Sequence, residues 1–476
     1  MGRDALHVRN PRTGERDYSF VPPDNACLDQ MCADLRVAQK AWAAKSLMER
    51  VAVLQQFGAA LTANASSVAG ALEVDTGRRA IAMQEVRGVA GSIMGWAAQA
   101  PHLLPEGWTQ GRSMPSIRHA PQFVPYSLVG VISPWNFPLT LSMIDTIPAL
   151  LAGCAVIIKP SEVTPRFVEP LSAIVASIPE LAPVLAFAPG DGLTGMGLID
   201  RVDAICFTGS VPTGRKVALQ AAGRLIPSFL ELGGKDPLII TETANLDHAV
   251  TAALRGSVLS TGQACQSIER IYVQRSIFGP FVEKLVAAAQ AVRLNADDIT
   301  KGELGPIIFE RQAETFTAQI ADAVSKGATV RTGGVVEAHN GGGLWLAPTV
   351  LTDVDHTMAV MTEETFGPLL PVMAYDSINE AINLANDGVY GLSGAVFAGT
   401  LEEAEAIGRQ LDVGGVSLND AALTALFYEA EKHAFKESGL GGSRMGPAGF
   451  QRFLRKKALM AQTGAPVPIQ AFAEDA

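Results

Sequence analysis

The chain has 476 residues, 48% of them hydrophobic and 18% charged, with 46 glycines. That length exceeds one usual core and predicts two or more domains, and the composition excludes the disordered and fibrous classes. A formal net charge of −11, with no dense basic cluster except 452–457, argues against nucleic acid as a partner.

In chain order, 28–64 and 66–98 show helical spacing and read as packing helices, and 116–133 reads as strands that begin with an exposed ribbon. Regular alternation follows: strand to Ser133, helix 139–151, strand 155–159, helix 167–178, strand 184–188, helix 196–198, strand 204–208, helix 214–222, strand 228–232. Such alternation predicts an α/β fold with a parallel, Rossmann-type sheet. A second α/β domain begins after Lys235 with helix 246–259, strand 270–274 and helix 280–292, and 330–415 supplies further strands and helices. The apolar stretch 139–158 approaches the length of a bilayer crossing, but Asp145, Pro148 and Gly153 divide it into helix, stop and strand, so no membrane is expected.

The five cysteines do not form a disulfide framework, and the absence of CxxC and HExxH leaves no expected metal site. A reducing compartment is implied. Residues 1–10 lack an apolar signal core, and Leu6 stands where a myristoylation motif needs Ser or Thr, so the cytoplasm is expected.

Of those cysteines, only Cys265 sits in a glycine-led turn, Thr261-Gly262-Gln263-Ala264-Cys265. A thiolate attacks carbonyl carbon well, and the thioester it forms needs a carboxylate to activate water. Glu231, followed by Leu232, Gly233 and Gly234, is placed on backbone that can move. Two sheet-end sets are candidates for a dinucleotide: Lys159 with Glu162, and Gly209, Ser210 and Gly214, where strand passes into helix. Free amides at that helix start can hold a pyrophosphate. A literal GxGxxG at Gly190, Gly192 and Gly195 lacks the acid about 20 residues on and reads as a loop.

Three motifs together, Pro134-Trp135-Asn136-Phe137-Pro138, Glu231-Leu232-Gly233-Gly234-Lys235 and Gly262-Gln263-Ala264-Cys265, resemble the signature of the NAD(P)-dependent aldehyde dehydrogenase superfamily. Their spacing fits too, at 265 − 231 = 34 and 231 − 136 = 95 positions, and the resemblance runs from about Asn10 to Leu459. It implies a Rossmann-type cofactor domain (1–115 and 127–233), an α/β catalytic domain (234–452) and a small antiparallel oligomerisation arm (116–126 and 453–476). A homodimer or homotetramer is then expected. The resemblance also implies NAD, with NADP possible, held by Lys159 and Glu162 at the adenine ribose, by Trp135 and Ser210 flanking the pyrophosphate, and by Glu364 and Phe366 at the nicotinamide ribose, with Ser161, Gly209, Gly214 and Leu232 also counted as cofactor-binding. A carboxylate at Glu162 disfavours a 2′-phosphate, hence NAD.

In this scheme Cys265 adds to a small-molecule aldehyde, Asn136 and the Cys265 N–H stabilise the oxyanion, and Glu231 drives hydrolysis. Leu141, Ile144, Ala264, Gln266 and Phe427 suggest an apolar tunnel for an aromatic or medium-chain aldehyde. The chain departs from the family pattern at 431–436, where Pro-Phe-Gly-Gly is usual, and at Arg444, where many members carry glutamate. Arg444 reads as a structural or surface residue, or one that recruits an anionic substrate. Rival readings are a CoA-acylating dehydrogenase, an idle NAD-binding homologue and a thiol hydrolase.

Overall fold

The computed structural model describes residues 3–474, so the outermost two residues of the ranges 1–115 and 453–476 lie outside the described residues. The two helical stretches expected near the N-terminus are each divided, giving Asn25–Ala44, Leu47–Ala63, Ala65–Thr76 and Arg79–Gln99. Capping explains both breaks. Ser46 and Glu49 form a reciprocal capping box that starts the second helix, and Gly77 ends the third in the left-handed region at φ 64°.

A six-stranded sheet runs in the spatial order Gly439–Leu440, Ser228–Glu231, Ala204–Thr208, Leu128–Ile132, Ala155–Lys159, Leu185–Phe187. All its pairings are parallel except that of Gly439–Leu440 at one edge. The chain fills one side of Leu128–Ile132, then returns to fill the other. That reversal makes a switch point, so Ser133–Asn136, Lys159, Thr208 and Glu231 gather at the carboxyl ends of the strands, where doubly wound sheets bind ligands. Helix Pro138–Ala152 is buried along most of its length against this sheet.

A seven-stranded sheet follows the order Thr329–Thr332, Thr349–Thr352, Leu369–Tyr375, Ile268–Gln274, Asp236–Ile240, Ser393–Phe397, Gly415–Leu418. Its central strands Asp236–Ile240 and Ser393–Phe397 are wholly buried and mostly apolar, as a sheet covered on both faces requires. The strand Asp236–Ile240 and the helix Arg311–Ser325 are not among the elements expected from sequence. The chain then crosses back: Gly439–Leu440 joins the first sheet, and Phe450 and Phe453 pack into its core.

The ribbon Ile117–Pro125 pairs antiparallel with Leu454–Gln462 from end to end, and Thr109–Gln110 adds a short third strand. Most of Leu454–Gln462 is exposed, leaving its outer edge unpaired within the chain. Among the described residues, no helix is long and apolar enough to cross a membrane.

Candidate active site

Cys265 is presented by a strained turn. Ser260, Thr261 and Gly262 take φ values of 61°, 60° and 65° in succession, and a Cβ on Gly262 would lie 2.3 Å from the Gly367 carbonyl. Only glycine fits there, and strain of this kind persists where surrounding contacts over-determine it. Those contacts are visible. Thr261 Oγ1 donates to the Gly305 carbonyl at 3.0 Å, and Gln263 donates through Nε2 to Pro306 O at 3.1 Å and accepts from Ile308 N at 2.9 Å.

Asn136 reaches this turn from the first sheet: its Nδ2 donates to Gln263 O at 2.9 Å, and it is 2% exposed. Glu85 accepts from Leu139 N at 3.0 Å and Thr140 N at 2.9 Å, capping the helix that follows. Arg78 donates to the Asn136 carbonyl, so the backbone is held from behind.

Glu231 ends the strand Ser228–Glu231, and its Oε1 lies 3.7 Å from Arg444 Nε. The two glycines after it serve close packing, since a Cβ on Gly233 would sit 2.5 Å from the Glu364 carboxylate and one on Gly234 would sit 2.6 Å from Cys265 O. Burial pushes the Cys265 thiol up to about 12; Lys432 and Arg444 oppose that rise, while Glu231 and Asp236 add to it.

A cavity of about 1230 Å³ opens beside the thiol, lined by Cys265, Asn136, Trp135, Lys159, Ser161, Glu162, Gly209, Ser210, Leu232, Glu364 and Phe366. Thus these ten expected residues, Leu141 and the thiol meet across two sheets, whereas Glu231 does not line the cavity. Glu162 pairs with Lys159 at 3.2 Å at the far end. Ser210 starts helix Val211–Gly223 with no side-chain cap, leaving first-turn amides free toward the cavity. Glu364 accepts from Gly234 N at 3.0 Å, and burial followed by the Glu269 charge pushes its carboxyl up to about 8. The Trp135 and Phe366 rings meet edge-on at 5.3 Å. An uncapped helix start, a lysine–carboxylate pair and a roomy cleft fit a dinucleotide.

Other expected residues lie off this cavity, and two segments differ from their sequence reading. Gly214 is set back from the cavity, where a Cβ would collide with Leu232 at 2.5 Å, so it is a packing glycine. The Gly190–Gly195 segment is not merely a loop: Asp191 caps helix Gly192–Ile199, and Gly192 and Gly195 line the cavity. Of the tunnel residues only Leu141 lines it. Ile144, Ala264 and Gln266 are half-buried off its wall, with Gln266 accepting from Thr424 Oγ1 at 2.7 Å, and Phe427 is 54% exposed because its loop turns the ring outward. Arg444 is not on the surface; it is 8% exposed. Sequence reasoning missed Phe309, Gln312 and Thr315, which also line the cavity. Their one local signal is the i,i+3 polar pair Gln312 and Thr315 on a single helix face.

Residues 2–459 match the profile described as "Aldehyde dehydrogenase family". A relative from Mycolicibacterium smegmatis named "Putative succinate-semialdehyde dehydrogenase [NADP(+)]" is 36% identical over 443 residues, spanning 92% of this chain and 85% of the relative. The solved structure of "Putative Aldehyde Dehydrogenase PutA" from Anabaena variabilis superposes with a TM-score of 0.95 at 52% identity, covering 98% and 99% of the two chains. Betaine aldehyde dehydrogenase from Staphylococcus aureus, solved in complex with NAD+, superposes with a TM-score of 0.91 at 27% identity over 98% and 93%. With the Cys265 thiol and the Asn136 amide brought to one cleft and a family match along nearly its whole length, this chain belongs to the aldehyde dehydrogenase family.

Proposed function

We propose that the protein oxidises an aldehyde to its carboxylic acid with NAD through a covalent bond to Cys265. The observation that carries this reading is the Asn136–Gln263 hydrogen bond, which holds an oxyanion donor against the cysteine turn. Cys265 Sγ bonds to the aldehyde carbon, and the resulting oxyanion takes hydrogen bonds from the Asn136 amide and the Cys265 N–H. When bound, the dinucleotide supplies the hydride acceptor. Loss of hydride leaves a thioester on Cys265. Glu231 takes a proton from water as the water attacks that thioester, and the acid departs as the thiolate is regained.

Lys159, Ser161 and Glu162 bind the adenine ribose, the amides at Ser210 take the pyrophosphate, and Glu364 with Phe366 orients the nicotinamide ribose. The Glu162 carboxylate supports NAD over NADP. Leu141 among the rings of Trp135, Phe309 and Phe366 supports an apolar substrate, aromatic or medium-chain. A second reading, a short aldehyde with its own carboxylate, is favoured by Lys432 as the foremost cation acting on Cys265 and by the name of the M. smegmatis relative. Relative rates on hexanal, benzaldehyde and a carboxylated aldehyde decide between the two.

The cytoplasm remains the proposed location, and the ribbon of Ile117–Pro125 and Leu454–Gln462 the proposed oligomerisation arm; a monomer mass by light scattering rules the arm out. The mechanism is tested by Glu231→Gln, which gives one burst of NADH and then stalls, without any need for CoA. Continued NADH formation by Cys265→Ala overturns covalent catalysis.

A further inference from the structure

Among the described residues, Arg444 is the one cation within ion-pair distance of Glu231. Its far nitrogen is pinned, because Nη2 donates to Thr208 Oγ1 at 2.6 Å and to Asp145 Oδ2 at 3.2 Å. Its Nε is buried, has no hydrogen-bond partner and faces Glu231 Oε1 at 3.7 Å. Asp145 is shared with Arg452, whose guanidinium lies 4.9 Å from the Phe229 and Phe453 ring centres. Two guanidiniums therefore balance two carboxylates, with little water to screen them.

We infer that Arg444 is a positioning residue that anchors Glu231 behind the cleft and neutralises its charge, so that a thiolate can form at Cys265 near that carboxylate. The inference rests on the roles proposed above for Cys265 and Glu231. Two anions in a poorly hydrated pocket repel strongly, and a guanidinium seated against one of them removes most of that repulsion. The charged and titratable groups coupled electrostatically to the thiol are Lys432, Glu231, Arg444, Asp236 and the Tyr428 phenol. Lys432 forms no ion pair with Glu231, so it cannot replace Arg444 as the anchor.

The test is the rate of Cys265 alkylation by iodoacetamide at pH 8 and 9, read by mass spectrometry on the Cys265 peptide of the full chain. Wild type, R444M, R444K, E231Q and the double variant R444M/E231Q are compared, each with a thermal melt. R444M is expected to react about tenfold more slowly, the result of one unit less thiolate stabilisation. R444K keeps the charge and stays within about threefold of wild type. In R444M/E231Q the rate returns to within about threefold, since no carboxylate is left to balance; a purely structural defect has no such rescue. Wild-type reactivity in R444M, or a double variant as slow as R444M, overturns the inference. If R444M does not fold, R444Q and R444Q/E231Q make the same comparison. The readout uses no aldehyde, so a wrong assignment of Glu231 as hydrolytic base shows in the NADH burst and leaves these rates interpretable.

Discussion

Asn136 Nδ2 donates to Gln263 O at 2.9 Å across 127 positions of sequence, tying the carboxyl end of one sheet to the cysteine turn of the other. One amide hydrogen is used by that bond, which leaves the second for the proposed oxyanion. Asn136→Ala removes anchor and donor together. The loss of one such donor costs about 2.7–4 kcal/mol, so stopped-flow NADH formation is expected to slow at least about a hundredfold. A burst rate equal to wild type would remove Asn136 from the mechanism.

Gly262 is the position where the turn has no tolerance. At φ 65°, with a Cβ meeting the Gly367 carbonyl at 2.3 Å, Gly262→Ala combines left-handed strain of roughly 1–2 kcal/mol with overpacking of roughly 1–3 kcal/mol. The expected result is a lower urea midpoint together with a slowed NADH burst, because the same turn carries Cys265. An alanine variant as stable and active as wild type would show that the turn relaxes without cost.

Cofactor affinity is expected to depend on pH through Glu364, whose buried carboxyl is pushed up to about 8. Its folded value is raised, so the neutral acid prevails at pH 7 and the carboxylate appears as pH rises through about 8. A carboxylate accepts hydrogen bonds from ribose hydroxyls more strongly than the neutral acid does. NAD titration by quenching of intrinsic tryptophan fluorescence is therefore expected to give tighter binding at pH 9 than at pH 7, and Glu364→Gln to flatten the dependence. A slope kept by the glutamine variant would assign it to another group.

Cofactor choice is expected to turn on Glu162, 3.2 Å from Lys159. With Glu162→Gln the negative charge is gone while Lys159 remains to attract a 2′-phosphate. The ratio of kcat/KM for NADP over NAD is expected to rise about tenfold, the scale of removing one close repulsive charge. An unchanged ratio would place the discrimination elsewhere in the cleft.

The sequence by itself determined the strand–helix alternation, the strands Ala155–Lys159 and Ala204–Thr208 to the residue, and the thiol, amide and carboxylate candidates. These are local signals: apolar runs bounded by turn residues mark buried strands, and the three motifs carry their residues in fixed order. Tertiary structure alone decided which glycine faces the cleft. Gly192 does and Gly214 does not, because the outcome depends on the side chain of Leu232, which follows the strand Ser228–Glu231. It alone turned Phe427 outward, brought Phe309 to the cavity, and buried Arg444 against Glu231. Charge pairing and close packing act between residues that only folding makes neighbours, so no window of sequence contains them.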